Sequence, residues 1–195
     1  SARRIIKGEM IMKYAVIAIV VIVVLLALYI GKTYNSLVKS RNTVEEAFAT
    51  MDVYLKKRWD LIPNIVASVK GYAKHEAETL EKVVSLRNGY QNLSADEKIE
   101  ANKELSKGIA SINVVAEQYP DLKANENFLN LNNQLQKNEE DIANARKYYN
   151  AVVKKYNNKV EMFPSSIVAS MFKFARKTMF VIENEAEKQA VKVEF

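Results

Sequence analysis

Hydrophobic positions along this chain follow two different rules. From Tyr14 to Ile30 seventeen residues, YAVIAIVVIVVLLALYI, pass without a charge. At about 1.5 Å per residue the run reaches roughly 26 Å, and Ile11, Met12 and Gly31 bring it to the thickness of a bilayer core. The pattern predicts a transmembrane helix over 14–31, preceded by a basic segment over 1–13. Tyr14 and Tyr29 fall at its two ends, where amphipathic rings anchor a span, and Lys13 and Lys32 can extend their stems toward the headgroups. A cleaved signal peptide would share the basic start. This run, however, is longer than a usual signal core and ends in Leu28-Tyr29-Ile30-Gly31-Lys32, with no small-x-small cleavage site, so a retained single-pass anchor is expected. Arg3, Arg4, Lys7 and Lys13 against Glu9 precede the span and Lys32, Lys39 and Arg41 follow it. That balance leans by one charge toward a cytoplasmic N-terminus and an extracytoplasmic body.

Beyond Lys32 the period becomes 3.6. Tyr34, Leu37, Arg41, Val44, Phe48, Met51, Leu55, Arg58 and Ile62 form one stripe, widened by Val38 and Trp59. It continues in phase through Ile65, Val69 and Tyr72 to Leu80, Val83 and Arg87. Pro63 interrupts it, and a kink or short break is expected there, with Asp60 capping the segment that follows. Asn88-Gly89 and Asn92-Leu93-Ser94 predict a turn, and Ser94-x-x-Glu97 a capping box. The next helix presents Ile99, Asn102, Leu105, Ile109, Ile112, Ala116 and Tyr119 and ends at Pro120. Asp121 is expected to open the longest soluble helix, with Phe128, Leu131, Leu135, Ile142, Ala145, Tyr149, Val152, Tyr156, Val160 and Phe163 as its stripe and Pro164 as its stop. Its opposite face, including Asn130, Asn132, Asn133, Gln134, Gln136, Lys137 and Asn138, reads as solvated or as a self-association surface. A short helix follows Ser165-Ser166, and the tail, residues 177–195, reads as an extended strap. The fold class predicted is all-α: an N-terminal transmembrane helix continuing into an antiparallel bundle of long helices over 32–176.

Composition narrows the chemistry. Among 195 residues there is no cysteine, which excludes disulfides, thiolate metal sites, thiol nucleophiles and lipoprotein anchoring. Five scattered glycines offer no phosphate loop. His75 is the single histidine, and the positions after His75-Glu76 where a zinc-protease helix needs its second ligand hold Thr79 and Leu80. No catalytic residue, metal site or cofactor is expected. The formal net charge of +6 falls to +3 over 32–195, too dilute for a nucleic-acid stripe, so no nucleic-acid partner is expected. Arg41 and Arg58 lie on the apolar stripe, where an unpaired charge is costly. They are expected to pair with Asp52, Asp60, Glu117 or Glu139 and fix register, or to bind an anionic headgroup or a partner's carboxylate.

The ordered set of short motifs resembles the LemA family. It comprises Tyr34-Asn35-Ser36-Leu37-Val38, Asp60-Leu61-Ile62-Pro63-Asn64, Gly71-Tyr72-Ala73-Lys74-His75-Glu76, Glu117-Gln118-Tyr119-Pro120-Asp121-Leu122-Lys123, Ile142-Ala143-Asn144-Ala145-Arg146, Tyr148-Tyr149-Asn150 and Phe163-Pro164. The resemblance covers about residues 10–172, and magnetosome MamQ proteins are similar. It implies one membrane helix carrying an all-α bundle in the bacterial inner membrane, without enzymatic activity. On that footing the chain reads as a scaffold or adaptor whose partners are the lipid bilayer, a membrane protein and further copies of itself. The alternatives are an accessory subunit of a membrane protease or signalling protein and a membrane-shaping homo-oligomer.

Overall fold

The computed structural model describes residues 2–86 and 89–181, and every regular element among them is helical. Six α-helices follow in order: α1 (Ala2–Lys70), α2 (Ala77–Ser85), α3 (Ala95–Glu117), α4 (Pro120–Lys123), α5 (Glu126–Glu161) and α6 (Ser165–Met171). Arg87, Asn88 and residues 182–195 of the expected strap lie outside the described residues. The chain divides into two compact units: residues 1–43 with 154–177, and residues 44–153 with 178–195.

The larger unit is a bundle built by the stripes. Leu55, Trp59, Ile62, Val66 and Val69 of α1 are buried, as are Leu80 and Val83 of α2, Leu105 and Ile112 of α3, and Leu135, Ile142 and Val153 of α5. Lys70 of α1 reaches Glu81 of α2, so the chain reverses there, and Asp52 and Arg58 meet Lys98 and Ser106 of α3, which therefore runs with α1. Phe48 against Tyr149 and Arg58 against Glu139 show α5 running antiparallel to α1. Gly108 lets α3 approach α2 closely, since a Cβ there would sit 3.0 Å from a methyl of Val83.

Of the kink or short break expected at Pro63 the break is absent, and three further local expectations are corrected. Helix α1 has no break at Pro63, which lies inside it; Leu61, Ile62, Ile65 and Val66 are buried on both sides, and that packing outweighs the one backbone hydrogen bond proline removes. Asp60 is consequently an exposed mid-helix residue and caps nothing. Pro120 opens the short α4, and the long helix begins at Glu126, after the Asn125 side chain accepts from the Phe128 amide. Asn138 belongs to the buried face of α5, where it donates to the Tyr54 carbonyl.

The smaller unit joins the start of α1 to the end of α5 and to α6. Leu37, Tyr156, Val168, Ala169 and Phe174 form its core. The Phe163–Pro164 peptide is cis, and Phe163, expected in the apolar stripe, is 79% exposed at the turn between α5 and α6. Helix α6 closes with Lys173 at φ 57°, while the Lys173 and Phe174 amides donate to the Ser170 and Ala169 carbonyls. That is the bonding of a glycine-type helix stop made by a lysine.

Candidate functional site

Two polar constellations stand out, one in each unit. In the larger unit Asp52 projects from α1 between Lys98, whose Nζ is 2.6 Å from Oδ2, and Tyr90, whose hydroxyl donates to Oδ1 at 3.0 Å. Gly89, at φ 88°, makes the turn that swings Tyr90 back onto α1, where its ring lies 5.1 Å from that of Trp59. Asn102 of α3, buried, donates to the Tyr90 hydroxyl and to the Lys98 carbonyl. Six residues further along α1, Arg58 is buried with Nε 2.6 Å from Glu139 of α5 and Nη2 donating to Ser106 at 3.0 Å. Three helices are thus tied by one run of polar side chains.

Burial sets the proton affinities in this run. It pulls the Arg58 guanidinium below its ordinary range, with Glu139 opposing that shift. It pushes the Glu139 carboxyl up, opposed by Arg58 and Arg146, and pushes the Tyr90 phenol well above the ordinary tyrosine value. Tyr90 is therefore a neutral donor at any physiological pH. Beside this run a cleft of about 290 Å³ is lined by Lys56, Trp59, Asp60, Tyr90, Gln91 and Asn92.

In the smaller unit the end of α5 and residues 172–174 meet α1 just beyond its apolar stretch. Lys159 Nζ donates to Ser36 at 2.8 Å and Ser40 at 2.7 Å. Its affinity for a proton is lowered by burial and by the neighbouring Lys155 and Lys39. Tyr34 packs on Phe172 and Phe174, with ring centres 4.7 and 5.7 Å apart, and Arg41 lies 5.4 Å over the Phe174 ring. Asn157 holds Lys177 through both backbone groups, and Tyr156 donates to the Ala175 carbonyl.

The residues singled out from the sequence are therefore distributed. Tyr14, Lys13, Tyr29 and Lys32 lie along α1, with Tyr14 and Lys32 exposed at either side of the apolar run. Arg58 meets Glu139, the α5 member of its expected partners; Asp52 takes Lys98 and Tyr90; Glu117 takes Lys123; Arg41 lies on an aromatic ring. Sequence reasoning missed Lys98, Tyr90, Asn102 and Lys159. The signal for Asn102 was available, because an amide on an otherwise apolar stripe needs a buried partner. His75 is exposed in a single 3₁₀ turn over Lys74–Glu76, and among the described residues no three His, Asp or Glu side chains group as metal ligands.

Comparison with known proteins places this arrangement. A curated relative, Protein LemA of Metamycoplasma hominis, is 27% identical over 143 residues. The match covers 72% of this chain and 65% of the relative's length, just under two thirds of it. The family model described as LemA family matches residues 47–195, which takes in the whole Asp52–Glu139 run. The chain belongs to the LemA family.

Proposed function

We propose that this protein is a membrane-anchored, non-enzymatic scaffold or adaptor of the bacterial cell envelope. One observation carries the reading: the apolar stretch of α1 crosses no core of its own, none of its most apolar window being buried, and it is continuous with the helix that builds the bundle. Leaving some twenty apolar side chains in water is far costlier than inserting them in hydrocarbon. Carrying the bundle on the same chain as the anchor raises its effective concentration for membrane partners. The polar groups of the larger unit support a structural role, since they are spent on each other: Asp52 on Lys98 and Tyr90, Arg58 on Glu139 and Ser106.

The full chain expressed in a bacterial host should remain with membranes through alkaline carbonate and high salt and leave them only in detergent. Release by carbonate would overturn the anchor. The detergent-extracted protein should then scatter light as an assembly larger than one chain, of itself or with a stoichiometric second protein found by mass spectrometry. A bare monomer would overturn the scaffold reading.

A further inference from the structure

We propose that the turn joining α5 to α6 is a second membrane contact, a tip that dips into the headgroup layer beside the span and is held there by anionic lipid. The inference rests on the anchor reading above.

Its first support is level. Lys159 is bonded to Ser36 and Ser40 while α5 runs antiparallel to α1. Four more residues, about 6 Å of helix, carry the chain to Phe163 and therefore to the level of about Lys32 to Ser36. Tyr34 against Phe172 at 4.7 Å fixes the far end of α6 at the same level. A span whose uncharged run ends at Gly31 leaves the hydrocarbon there, and the headgroup layer, about 5–7 Å deep, occupies the next three to five residues of helix. The tip and the headgroup layer coincide.

Its second support is chemistry. Met162, Phe163, Ile167, Met171 and Phe172 are all exposed, although Val168 and Ala169 of α6 are buried. Ile167 and Met171 are four apart and share a face, so α6 is apolar on both its inner and outer sides. An ordinary solvent-facing helix is polar outside. Apolar residues clustered this way mark a contact with something else.

Charge decides between a bilayer and a second copy of this tip. Residues 32–43 and 154–177 carry nine basic side chains, from Lys32 to Lys177, against one acidic, Glu161. Two such tips would repel each other. A surface of anionic phosphates complements the cations while its acyl boundary takes the apolar side chains, which is how interfacial helices bind.

The absence of cysteine makes the test direct. Leu28→Cys, Phe163→Cys and Val114→Cys, each in the full chain and each labelled with an environment-sensitive fluorophore, are reconstituted in phosphatidylcholine vesicles containing phosphatidylglycerol. Lipids carrying a spin-label quencher at a shallow or a deep acyl position are then introduced. The Leu28 probe reports the anchor, and the Val114 probe, on an exposed site of α3, reports the aqueous baseline. The Phe163 probe should lose about twofold in emission to the shallow quencher, relative to the Val114 probe, and less when phosphatidylglycerol is omitted. Quenching at Leu28 with a Phe163 probe that behaves like Val114 would overturn the tip and leave the anchor standing. A blue-shifted Phe163 probe that ignores the quenchers and responds to protein-to-lipid ratio would overturn it in favour of a second copy. An unquenched Leu28 probe would overturn the anchor and the tip with it.

Discussion

The Arg58 side chain is 6% exposed and Glu139, its partner, 39%. Removing the carboxylate strands a buried cation that cannot give up its proton, whereas removing the guanidinium leaves a carboxylate that water can reach. Glu139→Gln should therefore destabilise the protein more than Arg58→Met. The expected losses in urea unfolding followed by Trp59 fluorescence are about 2 kcal/mol and about 1 kcal/mol, both below the range for fully buried pairs because solvent reaches Glu139. Equal losses would mean the pair acts only through packing. Burial also gives a sign to the pH dependence. The Glu139 carboxyl is raised in the folded state, so its contribution is largest below its unfolded value and falls as pH rises into its folded value; Glu139→Gln should remove that slope. Glu97 has the opposite sign. The Ser94 hydroxyl and amide hold its carboxyl low, so the stability it contributes is present above the ordinary carboxylate value and lost as pH falls through its folded value. Ser94→Ala should cost about 1 kcal/mol as a lost cap and flatten that acid limb in the same unfolding series.

Elements were legible where periodicity spoke and illegible where the chain ends a helix by unusual means. The capping box at Ser94 and Glu97 formed as its spacing required. Of the kink or break that Pro63 allowed, the break did not form, because a proline's local cost of about 3 kcal/mol is set against a buried stripe that continues in phase on both sides of it. The stop of α6 carried no signal, since it is made by Lys173 in the left-handed region, where glycine is the residue expected. A lysine there pays a steric penalty of about 1 kcal/mol. Lys173→Gly should thus raise the thermal midpoint by a few degrees in detergent, and an unchanged midpoint would mean the lost backbone entropy of glycine offsets the relief. The residues after α6, described as far as Val181, are held by a device that the sequence did not signal. Tyr149-Asn150 and Tyr156-Asn157 repeat at seven residues, two turns of α5, and each asparagine receives a backbone amide and returns its own amide to a carbonyl: Asn150 with Phe180, Asn157 with Lys177. Asn150→Ala leaves two backbone groups of Phe180 to find water. Hydrogen exchange at the Phe180 amide should accelerate at least tenfold, while amides in α3 keep their protection.

For the whole molecule the all-α class and the family could be read from the sequence, and the distribution of charge could not. Counted along the chain, residues 32–195 are only mildly basic. Grouped as the fold groups them, residues 32–43 and 154–177 hold nine cations and one anion, and residues 44–153 with 178–195 hold sixteen cations and twenty-one anions. Linear counting hides this because the two basic stretches are more than a hundred residues apart in the sequence. So one-signed a group repels itself, and at Lys159, whose proton affinity burial lowers first, the neighbouring Lys155 and Lys39 lower it further. Because its folded value is lowered, the charged Lys159 opposes folding, and stability should rise as pH climbs from that folded value toward the ordinary lysine range. Screening should do the same at neutral pH. In a neutral detergent, raising ionic strength from about 0.01 M to about 0.15 M shortens the Debye length from roughly 30 Å to 8 Å, and amides of α6 should gain protection from exchange. Lys155→Gln should reproduce part of that gain at low salt and leave less for salt to add. Amides of α3, in the unit with mixed charge, should respond weakly to either change. If α6 is indifferent to salt in neutral detergent, the cations of residues 32–43 and 154–177 around it are already neutralised within the protein, and anionic lipid would have no charge left there to complement.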